Sequence, residues 1–227
     1  MIRSTNPIRL HLTHKYLDPA DRLGEILFGV IMVLTVTLSA GFAADSGKDG
    51  ARELLLAAIG CNIAWGIIDG IMYIMYGITE RGGQARLILS IQKAANEDVA
   101  LDIVRRVVGP KLELVTEPEQ QDVLYRSILA HAKTGNVRRV SPTKDDFLGA
   151  LACFWLVFVS CLPAAAPFLV FSSPHVALRV SNVLMVVMLF IIGMKWGDYA
   201  YTSRIGAGLI MAAVGLVLVG VAILLGG

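Results

Sequence analysis

Residues 147–171 read FLGALACFWLVFVSCLPAAAPFLVF and contain no charged side chain. An α-helix rises ~1.5 Å per residue, so this stretch is long enough to cross the ~30 Å hydrocarbon core of a membrane. Four other apolar stretches have a similar length, namely Leu23–Ala44, Leu54–Ile78, Val176–Tyr199 and Ile205–Leu225. The sequence therefore predicts an all-α, polytopic membrane protein with five transmembrane helices.

The remaining charge is concentrated in one segment. Of the 227 residues, 56% are hydrophobic and only 17% are charged, whereas a typical soluble domain has about 25% charged residues. Residues 79–146 are as charged as a soluble protein, which predicts a water-facing insert between spans two and three. The predicted organisation is an amino-terminal arm (1–22), spans one and two (23–78), the insert (79–146) and spans three to five (147–227).

The insert is predicted to be helical. Arg81-Gly82-Gly83 predicts a break after span two, followed by an amphipathic helix from Gln84 to about Val108 that Gly109-Pro110 closes. Thr116-Glu117-Pro118-Glu119 has the spacing of a capping box. It predicts a second helix that runs to Thr134 and stops at Gly135. At the other end of the chain, Asp18 and Pro19 predict the start of the helix that contains span one.

The basic residues predict the orientation. The arm holds four Lys or Arg and the insert eleven, and such residues are enriched in cytoplasmic loops. The amino terminus and the insert are therefore expected in the cytoplasm, and the carboxy terminus outside. The first 22 residues have no apolar core typical of a signal peptide, so we expect an integral protein of a prokaryotic cytoplasmic membrane.

Several classes of function are disfavoured. Twenty basic residues face eighteen acidic ones, with a net charge of +2, and no dense basic block suggests a nucleic-acid partner. The three cysteines have no Cys-x-x-Cys spacing and are expected to be small buried thiols. There is no His-Glu-x-x-His or Gly-x-Ser-x-Gly motif, and no histidine lies within a span. We therefore expect neither an enzyme nor a prosthetic group.

Two acids lie where charge is costly. Asp69 is nine residues before Ile78, ~13 Å along span two, which predicts a position near the midplane of the membrane. Glu25 is expected at a shallower position, within the first turn or so of span one. Acids in spans usually face a bundle interior or an aqueous path. Alternatively, Asp69 is a packing residue bonded to Asn62 or a tyrosine, and Glu25 reaches the surface or pairs with Arg22.

The helical period places other polar and sulfur-containing side chains beside these acids. On span two, the face of Asp69 is predicted to include Asn62 and Tyr76, with Met72 and Tyr73 flanking it and Glu80 extending it. On span one, Glu25 is expected to line up with Met32 and Ser39. A lining of carboxylates and thioethers suits ferrous or manganous ion better than magnesium or calcium, and protonation of the carboxylates would compete with the metal. The bland interpretation of the methionines is core filling.

The sequence resembles the vacuolar iron transporter family over most of its length. Span three has Leu148-Gly149-Ala150 followed by Leu162-Pro163 and Pro167-Phe168, similar to the third helix of the family. Span four ends in Ile192-Gly193-Met194-Lys195-Trp196-Gly197, similar to the family's Gly-x-x-Lys-Gly ending. Span five is rich in glycine, as is the last helix of the family. The resemblance implies transport of ferrous or manganous ion and a homodimer.

The chain departs from the family pattern at the acids. The family places an Asp-Gly pair in span one, where this chain has Phe28-Gly29-Val30-Ile31-Met32, and the pair occurs instead in span two as Asp69-Gly70. Either the metal-binding carboxylate has moved between helices, or metal transport has been lost. The insert also lacks the Glu-x-x-Glu repeats of metal-binding family members. Its candidate acids are Glu97, Asp98, Asp102 and Glu113, although a salt-bridged helix face with Arg106 explains them equally simply.

The leading hypothesis is a homodimer that exports a divalent transition metal from the cytoplasm by proton exchange. Its partners would be membrane lipid, the transported Fe²⁺ or Mn²⁺, and a second copy of the chain. The alternative hypothesis is a non-transporting membrane protein whose insert is a docking or sensing module.

Overall fold

The protein is α-helical throughout the residues that the computed structural model describes, which are 11–39, 47–112 and 116–224. Within these ranges there is no β-strand. The helices are α1 (His11–Tyr16), α2 (Pro19–Ser39), α3 (Gly47–Gln92), α4 (Glu97–Leu112), α5 (Pro118–Thr134), α6 (Lys144–Ser160), α7 (Leu162–Val170), α8 (Pro174–Tyr199) and α9 (Arg204–Leu224). The all-α class predicted from the sequence is confirmed.

Three helical stretches of the described chain are long and apolar enough to cross a membrane. They are Arg52–Gln92, Lys144–Val170 and Pro174–Tyr199, and they contain predicted spans two, three and four. These helices indicate an integral membrane protein. Most of predicted span one lies in α2, and its last residues, 40–44, are outside the described part of the chain. Predicted span five lies in α9, which contains a shorter apolar stretch, Arg204–Leu218.

The chain divides into two compact units. The first comprises the described residues up to Ile74 and from Lys144 onward, and the second is Met75–Thr143. In the first unit, Val30 and Leu34 of α2 are fully buried together with Met185 and Leu189 of α8. Small residues bring α8 and α9 close, because a side chain at Gly193 would meet the Ala207 carbonyl at 2.7 Å.

The second unit has its own apolar core. It forms where the end of α3 packs with α4 and α5, around Ile91, Leu101, Val104, Tyr125 and Leu129. The amide of Gln92 donates hydrogen bonds to the carbonyls of Ala132 (2.9 Å) and Gly135 (2.7 Å). These bonds attach the end of α3 to the end of α5. The unit overlaps the predicted insert, whose cytoplasmic location stays a prediction.

The predicted break at Arg81-Gly82-Gly83 is wrong. α3 continues without interruption from Gly47 to Gln92, because a helix tolerates glycine at a cost of about 1 kcal/mol per residue. The chain instead turns at 93–96, and Asn96 Oδ1 accepts a hydrogen bond from the Val99 backbone N–H at 2.9 Å. That bond is an N-cap, so the predicted helix from Gln84 to Val108 is really two helices.

Helix ends were predicted with mixed success. Pro19 begins α2 and Gly135 follows the last residue of α5, as predicted. The capping box at Thr116 is wrong, because Glu117 is the N-cap residue and the Thr116 hydroxyl donates to the Leu112 carbonyl at 2.8 Å. α4 also runs past Gly109-Pro110 to Leu112, since a proline in the last turn leaves the earlier turns intact.

Candidate functional site

The two acids predicted within spans, Glu25 and Asp69, lie close together. Glu25 is in the second turn of α2, and its carboxyl group is within hydrogen-bonding reach of the carboxyl group of Asp69 on α3. Both side chains are half-buried. Because an ionised carboxylate only accepts hydrogen bonds, a bond between two carboxyl groups requires a proton on one of them. The pair can therefore hold a proton between two helices.

The two acids lie at one level of the bundle, whereas the sequence predicted different depths for them. Asp69 was placed near the midplane by counting from Ile78, but α3 runs on to Gln92, so that count has no reference point. Glu25 follows Arg22 by three residues, ~4.5 Å along α2. Since the two carboxyl groups touch, Asp69 lies at the same level as Glu25.

A third side chain joins the pair. Cys153 of α6 is 1% exposed, and its thiol is within hydrogen-bonding reach of the Glu25 carboxyl group. From the sequence, Cys153 was expected to be a small buried thiol. A usable signal was its spacing from Gly149, because residues four apart lie on one helix face. Glu25, Asp69 and Cys153 are called the acidic cluster below.

Glycines on α3 and α6 allow these two helices to approach closely beside the acidic cluster. A Cβ atom at Gly66 would lie 3.0 Å from a ring carbon of Phe154, and one at Gly70 would lie 3.0 Å from the Ala150 carbonyl oxygen. A Cβ atom at Gly149 would overlap the ring of Tyr73. These close approaches set Asp69 beside Cys153 and hold the Tyr73 ring against α6.

One carboxylate oxygen of the acidic cluster could accept a further hydrogen bond, but the cluster is not a preformed metal centre. Oδ2 of Asp69 is buried and has no hydrogen-bond partner in the described structure. Among the described residues, no group of three or more His, Cys, Asp or Glu side chains is arranged to hold a metal ion. A cavity of about 400 Å³ lies elsewhere, against Arg52 and residues 168–172.

The first unit contains other buried polar side chains on the two helices that carry the acids. Asn62 is fully buried, and its amide donates to the carbonyls of Gly29 and Val157, both at 3.3 Å. Farther along α2, the Thr37 hydroxyl donates to Asn182 Oδ1 at 2.9 Å. Glu25 and Thr37 are ~18 Å apart along the helix. The predicted packing bond from Asn62 to Asp69 is wrong, because the Asn62 amide binds backbone carbonyls of α2 and α6 instead.

The predicted lining residues differ in their exposure. Met72 and Tyr76 have 45% and 70% of their surface exposed, and Glu80 is also exposed. Tyr76 lies seven residues after Asp69, on the same helix face, but it is beyond the part of α3 that belongs to the first unit. Met32 is half-buried on α2. Tyr73 packs against the buried group that contains Cys153, and its hydroxyl donates to the Tyr16 carbonyl at 2.8 Å.

The insert acids form ion pairs on the surface of the second unit. Glu97 pairs with Lys133 at 3.2 Å, and Asp102 pairs with Arg106 one turn away. Asp98 is exposed, and Glu113 lies outside the described residues. The Arg105 guanidinium donates to Asp122 at 2.7 Å, and this hydrogen bond raises the pKa of Arg105 above its ordinary value. The pair of Asp102 with Arg106 agrees with the simpler interpretation, whereas the pair of Glu97 with Lys133 of α5 was not predicted.

No protein-family model and no curated protein matches this chain. The geometry of the acidic cluster is therefore the basis for its proposed function.

Proposed function

We propose that this protein is a five-span membrane transporter of the vacuolar iron transporter type, which exports a divalent transition metal from the cytoplasm in exchange for protons. The observation that carries the proposal is the contact between the carboxyl groups of Glu25 and Asp69. A divalent cation and protons are alternative ways to neutralise two adjacent carboxylates. Because protonation competes with metal binding, alternate occupancy by metal and protons would couple their movements.

The lengths of the outer helices support five spans. α2 and α9 each contain 21 residues, which corresponds to ~31 Å of helix. With the basic arm and insert in the cytoplasm, Glu25 lies only one turn from Arg22 at the cytoplasmic end of span one. The acidic cluster is thus at the level where a cytoplasmic cation would enter the bundle.

The composition of the acidic cluster supports a transition metal as the substrate. Carboxylates alone suit magnesium and calcium, whereas a sulfur ligand favours softer ions such as ferrous ion. Cys153 brings a thiol to the acids, while the predicted thioether of Met72 faces outward in the single chain. The homodimer follows from the family resemblance and belongs to the same proposal.

The proposal predicts that Asp69→Asn abolishes transport. The substitution keeps the shape of the side chain but removes its ionisable carboxyl group. Asparagine therefore cannot exchange a proton for a cation. Efflux of Mn²⁺ would be measured in sealed vesicles with an imposed pH gradient. Glu53→Gln, which changes an exposed acid on the same helix, is the matched control and should transport normally. Normal efflux by Asp69→Asn would refute the proposal.

The alternative, a non-transporting membrane protein with a docking insert, is favoured by one observation. The second unit exposes several apolar side chains on α4 and α5, including Val107, Val123 and Leu124. Such side chains on a water-facing module suit a protein partner. Thermal unfolding of the purified protein separates the two functions, because a transporter should be stabilised by Mn²⁺ but not by Mg²⁺. No stabilisation by Mn²⁺ would favour docking.

A further inference from the structure

The chain before α2 packs against the acidic cluster. Residues 11–17, called the amino-terminal plug below, comprise α1 and Leu17, whose backbone N–H continues the helix by donating to the Thr13 carbonyl at 3.1 Å. Leu17 is 5% exposed and packs in one buried group with Ala152 and Cys153. Because the Cys153 thiol is within hydrogen-bonding reach of Glu25, Leu17 belongs to a buried group that adjoins the acids.

Polar contacts fasten the amino-terminal plug to the helices that carry the acidic cluster. The Tyr73 hydroxyl, one turn after Asp69, donates to the Tyr16 carbonyl at 2.8 Å. The Tyr16 hydroxyl donates to Asp145 Oδ1 of α6 at 3.1 Å and accepts from Lys15 Nζ at 2.8 Å. The side chains of Lys15 and Asp145 are 63% and 72% exposed. The plug therefore has one side in water and the other, at Leu17, against Cys153.

We propose that the amino-terminal plug is a gate that separates the acidic cluster from water and must detach before a cation reaches it. Its fastening suits that role. Among the side chains that the structure describes, Leu17 packs with Ala152 and Cys153 of α6 and Tyr16 bonds to Asp145, and such short segments open locally far more easily than the whole protein unfolds. The gating role rests on the proposed transport function, whereas the shielding of Cys153 from water does not.

Alkylation of Cys153 tests the shielding. In a background with Cys61→Ser and Cys161→Ala, Cys153 is the remaining thiol, and its reaction with a water-soluble maleimide would be timed in native membranes. Leu17→Ala removes the apolar contact, and Tyr73→Phe removes the bond to Tyr16. Each should speed alkylation by about tenfold or more, because the open state becomes more populated.

Tyr76→Phe is the matched control for Tyr73→Phe. It removes the same hydroxyl from the next turn of α3, where the ring is exposed, and alkylation should stay at the background rate. If Leu17→Ala does not assemble, Tyr73→Phe alone decides the test. This variant removes only one oxygen atom, so it should still fold. Alkylation of Tyr73→Phe at the background rate would overturn the shielding.

A reversible cross-link tests the gate. In the same background, Tyr16→Cys and Asp145→Cys replace two side chains that bond to each other. A reducible bifunctional thiol reagent should join the plug to α6 there and leave the Cys153 thiol free, which mass spectrometry would verify. Mn²⁺ efflux should stop on cross-linking and return on reduction. Undiminished efflux while the cross-link is in place would overturn the gate. If the reduced and wild-type proteins transport no metal, the proposed function fails, and the alkylation rates still decide the shielding.

Discussion

Two polar side chains on one face of α3 have different surroundings. Asp69 is half-buried and meets another acid, while Asn62, two turns earlier, is fully buried and bonded to backbone carbonyls of α2 and α6. The spacing of seven residues predicted that Asn62 and Asp69 share a face. It could not reveal their partners, because those belong to helices distant in the sequence. Asn62 thus joins three helices, and Asp69 is the chemical candidate.

We expect Asn62→Ala to lower the free energy of unfolding by about 1–2 kcal/mol, since interhelical hydrogen bonds in membranes contribute about that much. Unfolding by a denaturing detergent would measure the change. Asn136→Ala, at an exposed position outside the helices, should change it by less than about 0.5 kcal/mol. Equal effects from the two substitutions would show that Asn62 does not join the helices.

At the level of elements, five glycines within helices form two classes. A Cβ atom at Gly149 would overlap the Tyr73 ring, and one at Gly66 or Gly70 would be in tight contact with α6 at 3.0 Å, whereas Gly82 and Gly83 have open space around the Cβ position. From the sequence, Gly82-Gly83 looked like a break because glycine favours turns. The helix continues through Gly82 and Gly83 because glycine within a helix costs only about 1 kcal/mol. The two classes of glycine differ only in which atoms surround them.

Alanine substitutions should therefore have opposite signs. Gly149→Ala should destabilise the protein by about 1–3 kcal/mol, because the added methyl group displaces the Tyr73 ring. Gly82→Ala should stabilise it by about 0.5–1 kcal/mol, since glycine inside a helix costs that much relative to alanine. Thermal unfolding in detergent would measure both. A turn at Gly82, as the sequence suggested, would instead make Gly82→Ala neutral or destabilising.

For the whole molecule, the charge distribution predicts how the chain lies in the membrane. The amino terminus and the insert, residues 79–146, should face the cytoplasm and the carboxy terminus the outside, because the basic residues concentrate in the arm and the insert. Single cysteines placed in each segment would be tested with a membrane-impermeant thiol reagent on intact cells. Labelling at the carboxy terminus alone is expected. Labelling of the insert from outside would exclude export from the cytoplasm.

The second compact unit is expected to fold by itself. Its core of α3, α4 and α5 residues is complete within Met75–Thr143, so the isolated segment should unfold cooperatively by circular dichroism. Leu129→Ala should cost about 2–5 kcal/mol, because Leu129 is buried in that core. Leu124→Ala, on the same helix but exposed, is the control. A broad transition unaffected by Leu129→Ala would contradict an independent core.

The helical class and the membrane setting followed from the sequence alone. Long uncharged runs such as residues 147–171 must satisfy their own backbone hydrogen bonds in lipid, and only a helix does so within one segment. Local chemistry was equally readable at some ends, since Pro19 suits a first helical turn and Gly135 the residue after a last one. The two acids within spans were also visible as costly charges, although their contact was not.

The tertiary structure decided which of these parts meet. It places Glu25 beside Asp69 and Cys153. It also buries Leu17 in one group with Cys153 and leaves Tyr76 exposed. None of this follows from periodicity, because the period of a helix states which residues share a face but not which neighbour covers it. The neighbour is selected by small residues that permit close approach and by the burial of apolar surface across the whole bundle.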